Sequence, residues 1–314
     1  MGEKHMTHRE RFLCALEGRI PDRVPTFELE FQLSRELCGK SFLTEEDMVN
    51  DSPKEKEYKL RQNAETLIEV YTMLDHDAIC VHYLSNEHLK DTARYIHELA
   101  GDSFALFVHG DGTFAIPDGD GMMKMSVAMY EDPDSLHEEA ARMRDKAIAR
   151  DLSLLDAGYD GFILCSDYCF NQGPFMSPKM FSKFVAPYLS ELIYAIRSHG
   201  GYAIKHTDGN IMPIIDQLVD ANPHALHSLD PMAGVDIAEV KRLYGKRVAL
   251  CGNVHCAAMQ TGTEQEVIAS AEYCLTHAKP GGGYVFATSN IPFKGLPLER
   301  YMLVLDVWKR MREY

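Results

Sequence analysis

The sequence holds no apolar run approaching the roughly 20 residues of a membrane span, which excludes a helical membrane protein. Its polar start, MGEKHMTHRERF, has no apolar signal core, and Met6 stands where a myristoylated Gly2 would need Ser or Thr. The eight cysteines form no CxxC pair. That absence removes the usual zinc-ribbon and thioredoxin-type motifs, and scattered thiols without a signal predict a reducing cytoplasm. Basic residues are few: 32 Lys and Arg against 47 Asp and Glu leave a net charge of −15. A chain this acidic lacks the positive footprint of a nucleic-acid binder, although a few local cations could still hold a small anion. No repeat, low-complexity tract or Pro/Ser linker divides the 314 residues. The reading is one domain spanning 1–314.

What is present is alternation. Eight short apolar runs begin at Val24, His76, Phe104, Tyr159, Tyr202, His224, Arg247 and Gly283. Near-continuous apolar runs of strand length are what a sheet buried on both faces requires. Amphipathic segments lie between them. One sets Leu136, Ala140, Met143 and Ala147 at spacings of four and three. Another opens on Ser177-Pro178 as N-cap and first turn, stops at Gly200-Gly201, and should break near Val185 because of Pro187. Eight strand–helix units in one chain of this length predict an α/β fold, a (β/α)8 TIM barrel. A doubly wound open sheet is the second choice, but the glycine-rich phosphate turn expected after its first strand is missing.

Barrel active sites lie at the C-terminal ends of the strands. The residues following the eight runs are Glu28 and Glu30; His82; His109 and Asp111; Asp167; His206 and Asp208; Asp230; Asn253 with His255; and Ser289 with Asn290. Turn chemistry alone would supply Asp, Asn and Ser here, but not so many histidines. The reading is a shared pocket at the barrel mouth.

KHTDGN is the sharpest local feature. In an extended strand His206 and Asp208 face the same side, so imidazole and carboxylate can chelate a divalent metal or act as an acid–base pair. The plainer alternative is a hydrogen-bonded core histidine followed by a helix-capping Asp. In CGNVHC, Cys251 could add a thiolate to this pair, or simply be a buried apolar thiol. Strict alternation would point Asn253 the same way as Cys251. Tyr168, Phe170 and Phe175 either wall an apolar ligand site or pack the mouth. The methionines of GMMKM and Met129 read as core filling.

With these residues noted, the chain resembles the uroporphyrinogen decarboxylase superfamily over nearly its full length. The resemblance rests on RERFLCALEGRIPDRVPTFE, on DAGYDGFILCSDY with SPKMFSKFVAPYL, and on IKHTDGN with LDPMAGVDIAEVKRLYGKRVALCGNVHC and GGGYVFATSNIPFKGLPLERY. It implies a (β/α)8 barrel and one of two chemistries. True uroporphyrinogen decarboxylases carry paired arginines after the first strand and an Asp after the next. Here these places read FELEFQLSRELCGK and VHYLSNEH, and two glutamates there would repel an octa-anionic porphyrinogen. The corrinoid-dependent methyltransferase and O-demethylase branch commonly holds zinc through HxC after the fifth strand and a Cys after the eighth. Here those positions read His206-Thr207-Asp208 and Ser289-Asn290, which leaves an oxygen-richer site.

The resemblance therefore implies a metal-assisted methyltransferase that moves a methyl group from a small O-methyl or similar compound to a corrinoid protein. Asp167, His206, Asp208 and Asn253 are the expected catalytic residues. Glu28, Glu30, His82, Tyr168, Phe170, Asp230, Ser289 and Asn290 are the expected substrate contacts. His206, Asp208 and Cys251 are the expected ligands of a divalent metal such as zinc. The competing expectation is a metal-free decarboxylase of a different or smaller acid, which needs cations in the pocket. Lys294 is its best candidate and Lys124 a further one, since Lys205 alternates away from His206. A non-catalytic binding barrel is the third possibility.

Overall fold

The computed structural model describes residues 5–314, so the first four positions of the polar start, Gly2 included, lie outside the described residues. Seven of the eight apolar runs form parallel strands: β1 (Ala78–Val81), β2 (Ala105–Gly110), β3 (Gly161–Leu164), β6 (Tyr202–Thr207), β7 (Ala225–Ser228), β8 (Ala249–Cys251) and β9 (Tyr284–Val285), neighbouring one another in that order. Two short strands, β4 (Cys169–Phe170) and β5 (Gly173–Pro174), make an antiparallel hairpin beside the mouth.

The first run, from Val24, makes only an isolated parallel bridge, Thr26 to Phe286. The reason lies in its sequence: Pro25 has no N–H to give to a ladder. The run still closes the barrel. The Phe286 amide donates to the Pro25 carbonyl at 2.9 Å, and the Asp77 amide donates to the Thr26 carbonyl at 2.8 Å. The seam is pinned by Asp77, whose buried carboxylate accepts the Thr26 amide at 2.9 Å and Arg11 Nη1 at 2.6 Å. Arg11 belongs to the helix His8–Leu16, whose Phe12 packs edge-on against Phe27 and Phe107 in the barrel interior.

Both faces of the sheet are apolar, with period two. Cys80, Phe107, Ile163, Ile204, Ala225, Ala249 and Val285 fill the interior. Their neighbours Ile79, Leu106, Phe162, Ala203, Leu226 and Leu250 pack under the helices. Following the inward parity to the strand ends gives His82, His109, Cys165, His206 and His227. The helix expected around Pro187 is indeed two helices, Pro178–Phe184 and Ala186–Ser198, broken at Val185. Met123 is 74% exposed, so the GMMKM cluster is not core throughout. No helix among the described residues is long and apolar enough to cross a membrane.

Candidate metal centre

Three of the strand-end residues converge. Asp167 follows β3, His206 lies in β6, and Asp208 follows it; each offers a ligand atom within 4.8 Å of the other two. The register explains the meeting. Leu164 pairs with Lys205, so Cys165 comes level with His206, and Asp167 and Asp208 each stand two residues further up adjacent strands. His206 Nε2 lies 3.9 Å from both Asp167 Oδ1 and Asp208 Oδ1.

Each member is held. His206 Nδ1 shares a hydrogen with His227 Nδ1 at 2.8 Å, which turns Nε2 toward the carboxylates. Asp167 Oδ1 accepts the Asp208 amide at 2.9 Å. Asp208 accepts Ser228 Oγ at 2.6 Å on one oxygen and Asn290 Nδ2 at 2.5 Å on the other. Ser228 and Leu229 both take positive φ, 78° and 51°, at the turn that presents the Ser228 hydroxyl. Gly209 has φ +82°, and a Cβ there would lie 2.4 Å from the Cys169 carbonyl of the hairpin. Only glycine lets that turn pack so closely.

The electrostatics favour a cation. Burial, with the nearby charges of Asp167 and Asp230, pushes the Asp208 carboxyl up to about 6 despite its hydrogen bonds. Burial also holds His206 well below the usual histidine range, with His227, Lys205 and His109 adding to the effect, so its imidazole is neutral and able to ligate. One neutral imidazole and two carboxylates are a donor set that fits a divalent ion of the catalytic zinc type, which has three protein ligands and one open position.

Cys251, expected as a ligand, lies outside this group. It pairs in register with His227, which pairs with His206, so it stands two strands round the wall, about 10 Å away at the usual strand spacing. It is fully buried in the inner core, and burial raises its thiol far above the usual range. Asn253 does not follow Cys251 inward. Gly252, at φ +123°, breaks the alternation, and Asn253 donates to the Leu229 carbonyl at 2.6 Å while its own Oδ1 faces the Cys274 thiol. It lines a separate outer groove with Asp236 and Tyr273.

Tyr168 also turns away from the mouth. Its hydroxyl meets Thr113 Oγ1 at 2.6 Å and its ring lies under Lys205 Nζ at 4.3 Å. Phe170 sits half-exposed on the hairpin, where its carbonyl accepts the Asn210 amide. Asp230 reaches the group indirectly, through the Gly209 amide at 3.3 Å. Ser289 is buried against Cys256. Lys124 lies exposed on the helix Asp120–Glu131. His227 was not among the expected residues: it lies inside its run, whose end is Asp230. The signal was there: Ala225 and His227 share the inward parity of Ile204 and His206.

The two glutamates part company. Glu28 is buried against Thr288, accepting both its hydroxyl and its amide. Burial pushes it up to about 8, Thr288 notwithstanding. It is therefore protonated at neutral pH. With an unfolded value near 4.3, the native state holds the extra proton between about pH 4 and 8, so Glu28 makes stability fall as pH rises across that window. Glu28→Gln should abolish this decline and gain roughly 3 to 5 kcal/mol on the wild type at pH 9, read from denaturant midpoints across pH. Glu30 instead lines a cavity of about 400 Å³ with His82, Tyr83 and Lys294.

The sequence profile described as "Uroporphyrinogen decarboxylase (URO-D)" matches residues 114–311. The chain belongs to the uroporphyrinogen decarboxylase family. No curated protein sequence matches it. Among solved structures, a methyltransferase from Methanosarcina mazei aligns over 97% of this chain and 99% of its own, with a TM-score of 0.74 and 17% identity. A B12-independent methionine synthase from Shewanella sp. W3-18-1, in complex with selenomethionine, aligns over 82% of this chain and 89% of its own, with a TM-score of 0.51 and 11% identity. At these identities the likeness is one of fold.

Proposed function

We propose that this family member is a methyltransferase. It takes a methyl group from a small O-methylated or similar compound and passes it to a corrinoid carried by a partner protein, assisted by a divalent metal, zinc in the first instance. The observation that carries the reading is the convergence of Asp167, His206 and Asp208 at the barrel mouth. The fold shared with a methyltransferase over nearly the whole of both chains supports it.

A methyl group leaves with difficulty when negative charge must collect on the oxygen behind it; a divalent ion, which Asp167, His206 and Asp208 would hold, would supply the Lewis acidity that stabilises that charge. The protein's own part is positional. His227 Nδ1 is the partner of His206 Nδ1, and with the shared hydrogen on His206 its Nε2 presents a lone pair. Ser228 and Asn290 fix the Asp208 carboxylate, and the Asp208 amide fixes Asp167. The test is single-turnover methyl transfer to a reduced corrinoid with and without added zinc. The reading requires transfer that depends on the metal.

A metal-free decarboxylase of a smaller acid is the second reading, supported by Arg35 and Lys294 on the cavity wall. It requires activity that survives chelation. For uroporphyrinogen itself we expect no turnover near the ~1 per second of ordinary enzymes. The segment after the first run offers Glu30, Arg35 and Glu36 to that cavity rather than paired arginines, and the assay is porphyrin formation after anaerobic incubation.

A further inference from the structure

The cavity beside the first run and β1 is built around a carboxylate without a cation. Glu30 is 7% exposed. Its oxygens accept Gln32 Nε2 at 2.7 Å and Tyr83 Oη at 2.7 Å, both neutral donors. Among the described residues no lysine, arginine or histidine pairs with it. A carboxylate has about four acceptor positions, so roughly half its capacity stays open. A buried charge supported only by neutral donors is costly unless the cavity supplies a counter-charge.

A second observation points the same way. His82 lies on the same wall, and both its ring nitrogens are buried with no hydrogen-bond partner. Its ring rests on His109, with centroids 4.3 Å apart. As a neutral imidazole it has one donor and one acceptor to offer a ligand. The lining also holds apolar side chains, Phe31, Leu67 and Val81, beside the polar Ser34, Thr44 and Asn63. At the rim Arg35 and Lys294 are exposed beside one carboxylate, Glu36, so the rim is net positive.

We propose that this cavity recognises a small zwitterion, with its ammonium end inward on Glu30 and His82 and its anionic end outward at Lys294 and Arg35. The pattern is charge-complementary at both ends. An N–H donor of a cation on Glu30 makes the strong, charge-assisted kind of hydrogen bond, and the apolar side chains of the lining accommodate a short aliphatic body. The inference rests on the methyl-donor reading for the use made of the ligand, but not for its binding.

The test is calorimetric titration of metal-free protein, without corrinoid, with three probes of matched length that carry charge at both ends or at one end: 4-aminobutyrate, butylamine and butyrate. 4-Aminobutyrate should bind tightest and butyrate, which lacks the ammonium, weakest, by roughly tenfold or more. Glu30→Gln should remove the advantage of the two amines over butyrate. Lys294→Gln should weaken 4-aminobutyrate and keep butylamine ahead of butyrate. The protein is metal-free throughout, so a failure of the metal reading leaves this result standing. The proposal is overturned if butyrate binds as well as butylamine, if Glu30→Gln preserves the order, or if none of the three binds.

Discussion

Lys205→Met should lower the unfolding free energy by about 3 kcal/mol, one of the larger losses a single substitution can cause here, because it strips a buried charge of its partner. Lys205 is fully buried, and its Nζ reaches Asp111 Oδ2 at 2.8 Å, the Ser166 carbonyl at 2.9 Å and the Leu164 carbonyl at 3.0 Å. Burial alone would raise Asp111; the Lys205 ammonium, with hydrogen bonds from Thr113 and the Ser166 amide, more than reverses this and holds it below the usual carboxylate range. The pair contributes stability that is present above the unfolded Asp value and lost as pH falls through the lower native one. In the Met variant the buried Asp111 has lost the cation that keeps it ionised and takes up a proton more readily, so the deficit against the wild type should be largest at neutral pH and narrow as pH falls. Asp111 keeps the amides of Gly112, Thr113 and Ser166, which limits the loss. Chemical denaturation at pH 5 and pH 7 measures both effects. The consequence reaches the candidate metal centre, because Lys205 ties down Leu164 and Ser166, the stretch that carries Asp167.

On the proposed metal reading, His206→Ala should leave a folded barrel that no longer holds a divalent ion. Removing the imidazole takes away one of three ligands and the only nitrogen donor in the group. Even the loss of an outer partner of a ligand costs 10- to 100-fold in affinity, so the loss of a ligand itself should cost roughly a hundredfold or more. Methyl transfer should fall by about a thousandfold, matching the several kcal/mol assigned to Lewis-acid stabilisation of the leaving group. The variant also leaves His227 Nδ1 buried without a partner, at a cost of about 1–3 kcal/mol in stability. Metal affinity, single-turnover rate and denaturation midpoint separate the three effects. In the wild type, metal affinity should itself weaken below about pH 6, where protons compete for Asp208.

The barrel was legible because its strands are buried on both faces and therefore written as apolar runs. The run at Val24 shows the limit: the burial pattern is there, but Pro25 reduces the strand to a single bridge. In the centre, the pairing of His206 with Asp208 follows from spacing two along one strand. Asp167 joins them only through register across β3 and β6, which residue types do not disclose. The Cys251 expectation failed on the same count. It shares the inward parity of His206 but stands two strands round, and parity says nothing about circumference. Asn253 was misplaced because Gly252 turns the chain, and Tyr168 because its hydroxyl had a buried partner in Thr113. Lys205 was placed correctly away from His206 by alternation alone.

The most direct measurement is the metal content of the purified wild-type chain beside Asp167→Asn and Asp208→Asn, each equilibrated with zinc and then dialysed. The account predicts about one zinc per wild-type chain, as a three-ligand catalytic site would hold, and a substoichiometric amount in both variants. A wild type that retains no divalent metal, or variants that hold as much as the wild type, would contradict it.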